Sequence, residues 1–198
     1  MLMQSTNKHT LSAVRMRRRE PRGAAQAAEF GAAVVALIVC FVIPLVDFGI
    51  IPVRWALAFN IVNSYVGNLS RAETFSRAWQ QLEEDPGMGT MLKRIGGVNP
   101  KRYNLTMLIT KPADGSVQAS VDQPKRIPSH YLPDGPGGPY QYELELSAEL
   151  EVSPLIVCNI GPKKIPGLNA PFNFTISRTS HWENLGRNPT TNEFYINE

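Results

Sequence analysis

The sequence predicts an α+β protein in which a long N-terminal helix is followed by a small antiparallel β-sheet. The first observation is an apolar run from Phe30 to Val46 that contains no charged residue. The second is a helical spacing of apolar residues between Trp55 and Asp85, and the third is a strict apolar–polar alternation that begins at Tyr140. These patterns divide the chain into a basic leader (1–23), a transmembrane helix (24–53), an amphipathic helix (54–86) and a β-rich domain (87–198).

The net charge of +3 is unevenly distributed over the 198 residues. Residues 1–23 carry six basic side chains and one acidic side chain, whereas the remainder of the chain has a net charge of −2. Because the basic pI comes from the leader alone, we expect no nucleic-acid partner. Arginines directly before an apolar span predict a cytoplasmic N-terminus, with the C-terminal part of the chain on the outer side of the membrane.

The apolar run is long enough to cross a membrane. After the single Asp47 the chain stays apolar as far as Val53, and a helix of this length covers a hydrocarbon core of roughly 30 Å. A secretory signal peptide would place small cleavage residues after its apolar core. Here Gly23, Ala24 and Ala25 precede it, so cleavage at this point would leave the helix attached.

Small residues and one carboxylate mark the start of the span. Ala24, Ala28, Ala32 and Ala36 recur at a spacing of four, which allows another helix to approach closely in lipid, although alanine is also simply a good helix former. Glu29 lies on the same segment. A carboxylate inside a membrane segment is costly unless it is paired or wetted by headgroup water, so Glu29 is a candidate functional residue.

The remaining patterns predict the elements of the outer domain. Pro44 and Pro52 predict interruptions, with a bend near Pro52 at the outer membrane surface. Asp114-Gly115 predicts a hairpin turn. We expect a short helical turn at 90–95, strands at 103–110, 116–121, 140–152 (with a change of phase after Leu146) and 172–177, an irregular loop at 123–139, and a fully buried strand at 154–160.

No pattern in the chain predicts catalysis. The three histidines are scattered, and no phosphate-binding loop, paired-glycine nucleotide motif or nucleophile elbow occurs, so we expect neither enzymatic activity nor a metal or cofactor. The two cysteines, Cys40 in the span and Cys158 in the outer domain, would lie in different layers. We therefore expect no internal disulfide.

Several motifs together carry a family resemblance. The order of RRREPRGAAQAAEF, an apolar helix, IPLVDFG and WALAFNIVNS resembles type IV prepilin-like proteins of tight-adherence (Tad/Flp) pili, and more closely the TadE-like minor pseudopilins. In that family a prepilin peptidase cuts after a glycine, and a glutamate followed by an aromatic residue occupies the fifth mature position. The resemblance implies processing at Gly23 or Ala24 and an assembly role for Glu29 and Phe30. A cut after Gly23 places Glu29 sixth, and a cut after Ala24 places it fifth.

The resemblance implies a structural role in a bacterial inner membrane. The partners would be inner-membrane lipid, the prepilin peptidase, other pilins or pseudopilins and the Tad machinery, and Glu29 would offset the new N-terminal amine of its own or a neighbouring chain. Two alternatives stay open at this stage. One is a membrane-anchored binding module that never enters a filament, and the other is an anchored envelope enzyme.

Overall fold

The computed structural model describes residues 22–157 and 162–197, with side chains from residue 26 onward. The chain divides after Phe41 into two compact units, which are described separately. A long N-terminal apolar helix and a four-stranded antiparallel sheet confirm the predicted α+β class. Residues 1–21 of the predicted leader, and Cys158, lie outside the described residues.

The N-terminal unit is helical in its described part. Helix α1 spans Arg22–Leu37 and is followed by a π-helix at Ile38–Val42. The described side chains from 26 to 41 are all exposed. The π-helix ends at Val42, two residues before Pro44. Pro44 lies in the first turn of the following helix, where its missing N–H would have no intrahelical partner.

The second unit begins at Val42, and its first helix is α2, Ile43–Leu69, which continues through Pro52. The expected single amphipathic helix 54–86 is wrong, because α2 ends at Leu69 and helix α3, Phe75–Glu84, begins after a turn. The Thr74 hydroxyl caps α3 by accepting a hydrogen bond from the N–H of Arg77 at 3.1 Å. Because buried residues fall at helical spacing on both sides of the turn, periodicity alone cannot reveal the break.

The sheet has the strand order β2-β1-β3-β4, and all neighbouring strands are antiparallel. The strands are β1 Val98–Thr110, β2 Val117–Val121, β3 Gln141–Val152 and β4 Phe172–His181. Helix α4, Gly87–Arg94, precedes β1, and short 3₁₀ turns occur at Ser129–Tyr131 and Tyr195–Asn197. The predicted hairpin between β1 and β2 is confirmed, with the Asp114 carboxylate accepting from the N–H of Ser116 at 3.0 Å.

The core lies between α2 and one face of the sheet. Strand β3 buries every second residue from Tyr142 to Val152 without interruption, so the expected change of phase is wrong. Helix α2 contributes Ala58, Val62 and Val66 to this core. The opposite face of β3 carries the partly or fully exposed glutamates at 143, 145, 149 and 151. The unit is therefore a two-layer helix-on-sheet structure.

Two strand boundaries and one whole strand differ from the prediction. Strand β1 begins at Val98 because an irregularity between Pro100 and Arg102 absorbs the proline, and β4 runs on to His181. The buried strand expected at 154–160 is wrong in its described part. Residues 155–157 form an exposed bend after β3, since Pro154 has no N–H to donate to the sheet.

Candidate functional site

The predicted assembly residues lie on α1. Glu29, Phe30, Ala28, Ala32 and Ala36 are all exposed there, and Glu29 makes no hydrogen bond or ion pair within residues 22–157 and 162–197. The processing residues Gly23 and Ala24 belong to the same helix, but their side chains lie outside the described part of the structure. Ala28, Ala32 and Ala36 are thus presented on an open helix surface, while cleavage stays a prediction.

The structure also contains a site that the sequence analysis did not identify. Asp47 and Arg54 lie on α2 with 0% and 8% of their surfaces exposed. Their spacing of seven residues is two helical turns, which places both charges on the same face. They are the two charged residues between Glu29 and Arg71, and that isolation in an apolar segment is the signal that could have revealed them. We call Asp47 and Arg54 the α2 clamp.

Asp47 holds the bend that follows β3. One carboxylate oxygen accepts hydrogen bonds from the N–H of Leu155 at 2.8 Å and from the N–H of Ile156 at 3.2 Å. The other oxygen is buried and has no hydrogen-bond partner among the described residues. Burying a carboxylate is costly, and the two backbone donors offset part of that cost through charge-assisted hydrogen bonds.

Arg54 holds the residue just before that bend. Its Nη1 donates to the carbonyl of Ser153 at 2.6 Å, and the N–H of Ser153 donates to the carbonyl of Gly97 at 2.7 Å. Gly97 has a φ of +70°, and a Cβ there would lie 2.8 Å from Arg54 Nη1. Glycine is therefore required both by the backbone conformation and by the guanidinium packed against it. The clamp therefore joins α2 to the start of β1 and to the end of β3.

A second segment packs on the same stretch of α2. Gly167 has a φ of +84°, and a Cβ there would lie 2.7 Å from Cδ1 of Ile51. The Asn169 side chain fixes this turn, because its Oδ1 accepts from the N–H of Ile165 at 2.5 Å and its Nδ2 donates to the carbonyl of Lys163 at 2.8 Å. Two loops from the sheet are consequently held beside residues 47–54 of α2.

An open groove lies between α2 and helices α3 and α4. It has a volume of about 590 Å³, and the Tyr65 hydroxyl donates to Asp85 Oδ2 across it at 3.1 Å. Its lining is mixed, with the polar side chains of Asn60, Ser64 and Asn68 beside apolar ones. Within the described ranges no group of three or more His, Cys, Asp or Glu side chains is placed to hold a metal ion.

In the part of the chain that the structure describes, one helix, Gln26–Leu69, is long and apolar enough to cross a membrane. By length and composition it could serve as a single membrane span or as a signal sequence. Comparison of the chain with protein-family models, curated proteins and solved structures finds no match.

Proposed function

We propose that this chain is a TadE-like minor pseudopilin, a non-enzymatic structural or assembly component of a Tad/Flp-type pilus or related secretion machinery. Its N-terminal helix anchors it in the bacterial inner membrane, and its pilin-like α+β domain lies in the periplasm. The observation that carries this proposal is the exposure of α1 from residue 26 onward, which presents Glu29, Ala28, Ala32 and Ala36, while the second unit has a core of its own. The order of the motifs in residues 15–75 is the basis for proposing this particular family.

The exposed helix suits packing against other helices in lipid. Ala28, Ala32 and Ala36 leave room for a neighbouring backbone to approach. After prepilin peptidase removes the leader at Gly23 or Ala24, the new N-terminal amine of this or a neighbouring subunit pairs with Glu29. An amine and a carboxylate that share a low-dielectric environment lower the burial cost of each other's charge.

A Glu29→Ala variant tests this proposal in cells that assemble the pilus. We expect the same amount of protein in the membrane fraction and fewer pili, because the carboxylate is needed for pairing and not for insertion. Gln26→Ala is the matched control, since Gln26 is an exposed polar residue one turn earlier on the same helix. Normal piliation with Glu29→Ala would remove Glu29 from the mechanism, and an intact mass that begins at Met1 would contradict processing.

The open groove favours one other function. A membrane-anchored binding module would use its mixed polar and apolar lining to hold an envelope ligand without joining a filament. Purification distinguishes the two functions. A subunit of the pilus loses its leader and co-purifies with pilus components, whereas a binding module does neither.

A further inference from the structure

Two loops of the second unit expose apolar side chains beside α2. Leu155, Ile156 and Val157 are 56%, 44% and 61% exposed, and Ile165 is 39% exposed. The bend containing the first three is held by Asp47, and the turn containing Ile165 packs through Gly167 on Ile51. Apolar side chains exposed on two loops that are each fixed to the same helix indicate an interaction site. We call these four residues the apolar collar.

The collar lies beside the apolar part of α2, which belongs to the candidate membrane span Gln26–Leu69. The neighbouring side chains of α2 are suited to lipid, since Leu45 and Phe48 are 74% and 51% exposed. The collar is therefore continuous with the lipid-facing surface of the helix.

The backbone and the flanking charges also suit a membrane surface. Unpaired N–H groups are costly in hydrocarbon, and those of Leu155 and Ile156 are already bonded to the buried Asp47 carboxylate. Lys163 and Lys164 are exposed next to Ile165 in the sequence. Lysines at this position attract anionic lipid headgroups, each with an energy that corresponds to roughly a fivefold change in an insertion equilibrium.

We propose that the apolar collar is a second membrane contact, which inserts into the outer leaflet of an anionic phospholipid bilayer while Lys163 and Lys164 bind its headgroups. The proposal rests on the membrane anchor in the proposed function but not on the pilus. It gives the domain a fixed orientation on the membrane that a helix alone would not impose. Asp47 is the positioning residue, because it holds the bend at the depth of the lipid.

A fluorescent label on the collar tests this proposal in the full chain. Leu155→Cys, in a background with Cys40→Ser and Cys158→Ser, is labelled with an environment-sensitive dye and reconstituted in vesicles of phosphatidylcholine and phosphatidylglycerol. Val117→Cys is the matched control, because Val117 is also 56% exposed but pairs with Thr110 at the opposite end of β1 from the clamp. We expect a shift of emission to shorter wavelength and quenching by spin-labelled lipid at position 155 only.

The possible results separate the two proposals. In one result the protein resists carbonate extraction, but the dye at positions 155 and 117 gives equal, water-like emission. This result would overturn the proposed membrane contact of the collar and would leave the proposed membrane anchor standing. Extraction of the protein by carbonate would overturn both. A Lys163→Glu, Lys164→Glu double variant should lose quenching in anionic vesicles and match the unmodified chain in pure phosphatidylcholine, whereas Lys111→Glu with Lys125→Glu should have no effect. If the Lys163→Glu, Lys164→Glu variant is quenched as strongly as the unmodified chain in anionic vesicles, the proposed binding of lipid headgroups by these lysines is overturned.

Discussion

Replacing Asp47 with alanine tests whether the α2 clamp stabilises the second unit. The substitution removes the acceptor of two hydrogen bonds, from the N–H of Leu155 at 2.8 Å and from the N–H of Ile156 at 3.2 Å. It leaves both donors in partly buried positions without a protein acceptor. The bend after β3 would then lose its connection to α2 through Asp47, while the Arg54 bond to Ser153 remains.

The expected loss follows from the geometry. A partly buried N–H left unsatisfied costs about 1–3 kcal/mol. The N–H of Ile156, whose bond to Asp47 is longer at 3.2 Å, is assigned the low end of that range. Removing the buried carboxylate, one oxygen of which has no partner in the described structure, recovers about 1 kcal/mol of desolvation cost. The net destabilisation is about 1–3 kcal/mol, which corresponds to a decrease of roughly 2–12 °C in Tm for a chain of this size.

Two measurements on the full chain in detergent check this value. Urea unfolding gives the free energy, and hydrogen exchange of a peptide covering 153–157 reports the two amides directly. Asp47→Asn is the control, because its side-chain oxygen can still accept a hydrogen bond, and we expect it to lose about 1 kcal/mol or less. If Asp47→Ala unfolds at the same urea concentration as the unmodified chain and exchanges no faster at 153–157, the reasoning is refuted.

Three further predictions concern single side chains. Gly97→Ala combines a positive φ with the contact to the guanidinium and should cost about 2–3 kcal/mol by urea unfolding, against about 1 kcal/mol for Gly115→Ala, whose positive φ faces open space. Thr74→Ala removes the α3 cap and should cost about 1 kcal/mol, most of which Thr74→Ser should restore. Burial raises the pKa of Tyr103 and of Tyr142 to about 12 from 10.0, so their contribution to stability is complete below about pH 10 and is lost as the pH rises towards 12.

Each of these predictions has a result that would contradict it. Equal losses for Gly97→Ala and Gly115→Ala would mean that the close approach of the arginine contributes nothing. A Thr74→Ser variant as unstable as Thr74→Ala would exclude the hydroxyl cap. For Tyr103 and Tyr142, comparing absorbance titrations of the unmodified chain with those of Tyr103→Phe and Tyr142→Phe isolates each phenol, and a folded-state midpoint near pH 10 for both would remove the alkaline effect.

The sequence predicts those parts of the fold that depend on local patterns. Strand β3 is the best case, since one of its faces is buried along its full length and the alternation from Tyr142 to Val152 records that burial directly. The apolar N-terminal helix is equally local, because hydrophobicity and length suffice to identify a helix that could cross a membrane. The break between α2 and α3 escapes detection because apolar residues keep their spacing across it.

The bend at 155–157 could not be predicted from its own residues. Three consecutive apolar, partly β-branched side chains predict a buried strand, but their setting is decided by Asp47, more than a hundred residues earlier in the chain. Arg54 presents the same difficulty, because its acceptor Ser153 is 99 residues away. Spacing places Asp47 and Arg54 on one face, but only the folded chain identifies what that face contacts.

The two carboxylates of the apolar region therefore have different requirements. Asp47 is buried and bonded within its own chain, whereas Glu29 is exposed and has no hydrogen bond or ion pair among the described residues. In the proposed membrane setting Glu29 is satisfied by water or by a group outside those residues. Asp47 variants should lose stability in the purified protein, whereas Glu29 variants should keep full stability and, under the proposed function, fail only in pilus assembly. A loss of stability on replacing Glu29, measured by urea unfolding of the purified chain, would contradict this separation.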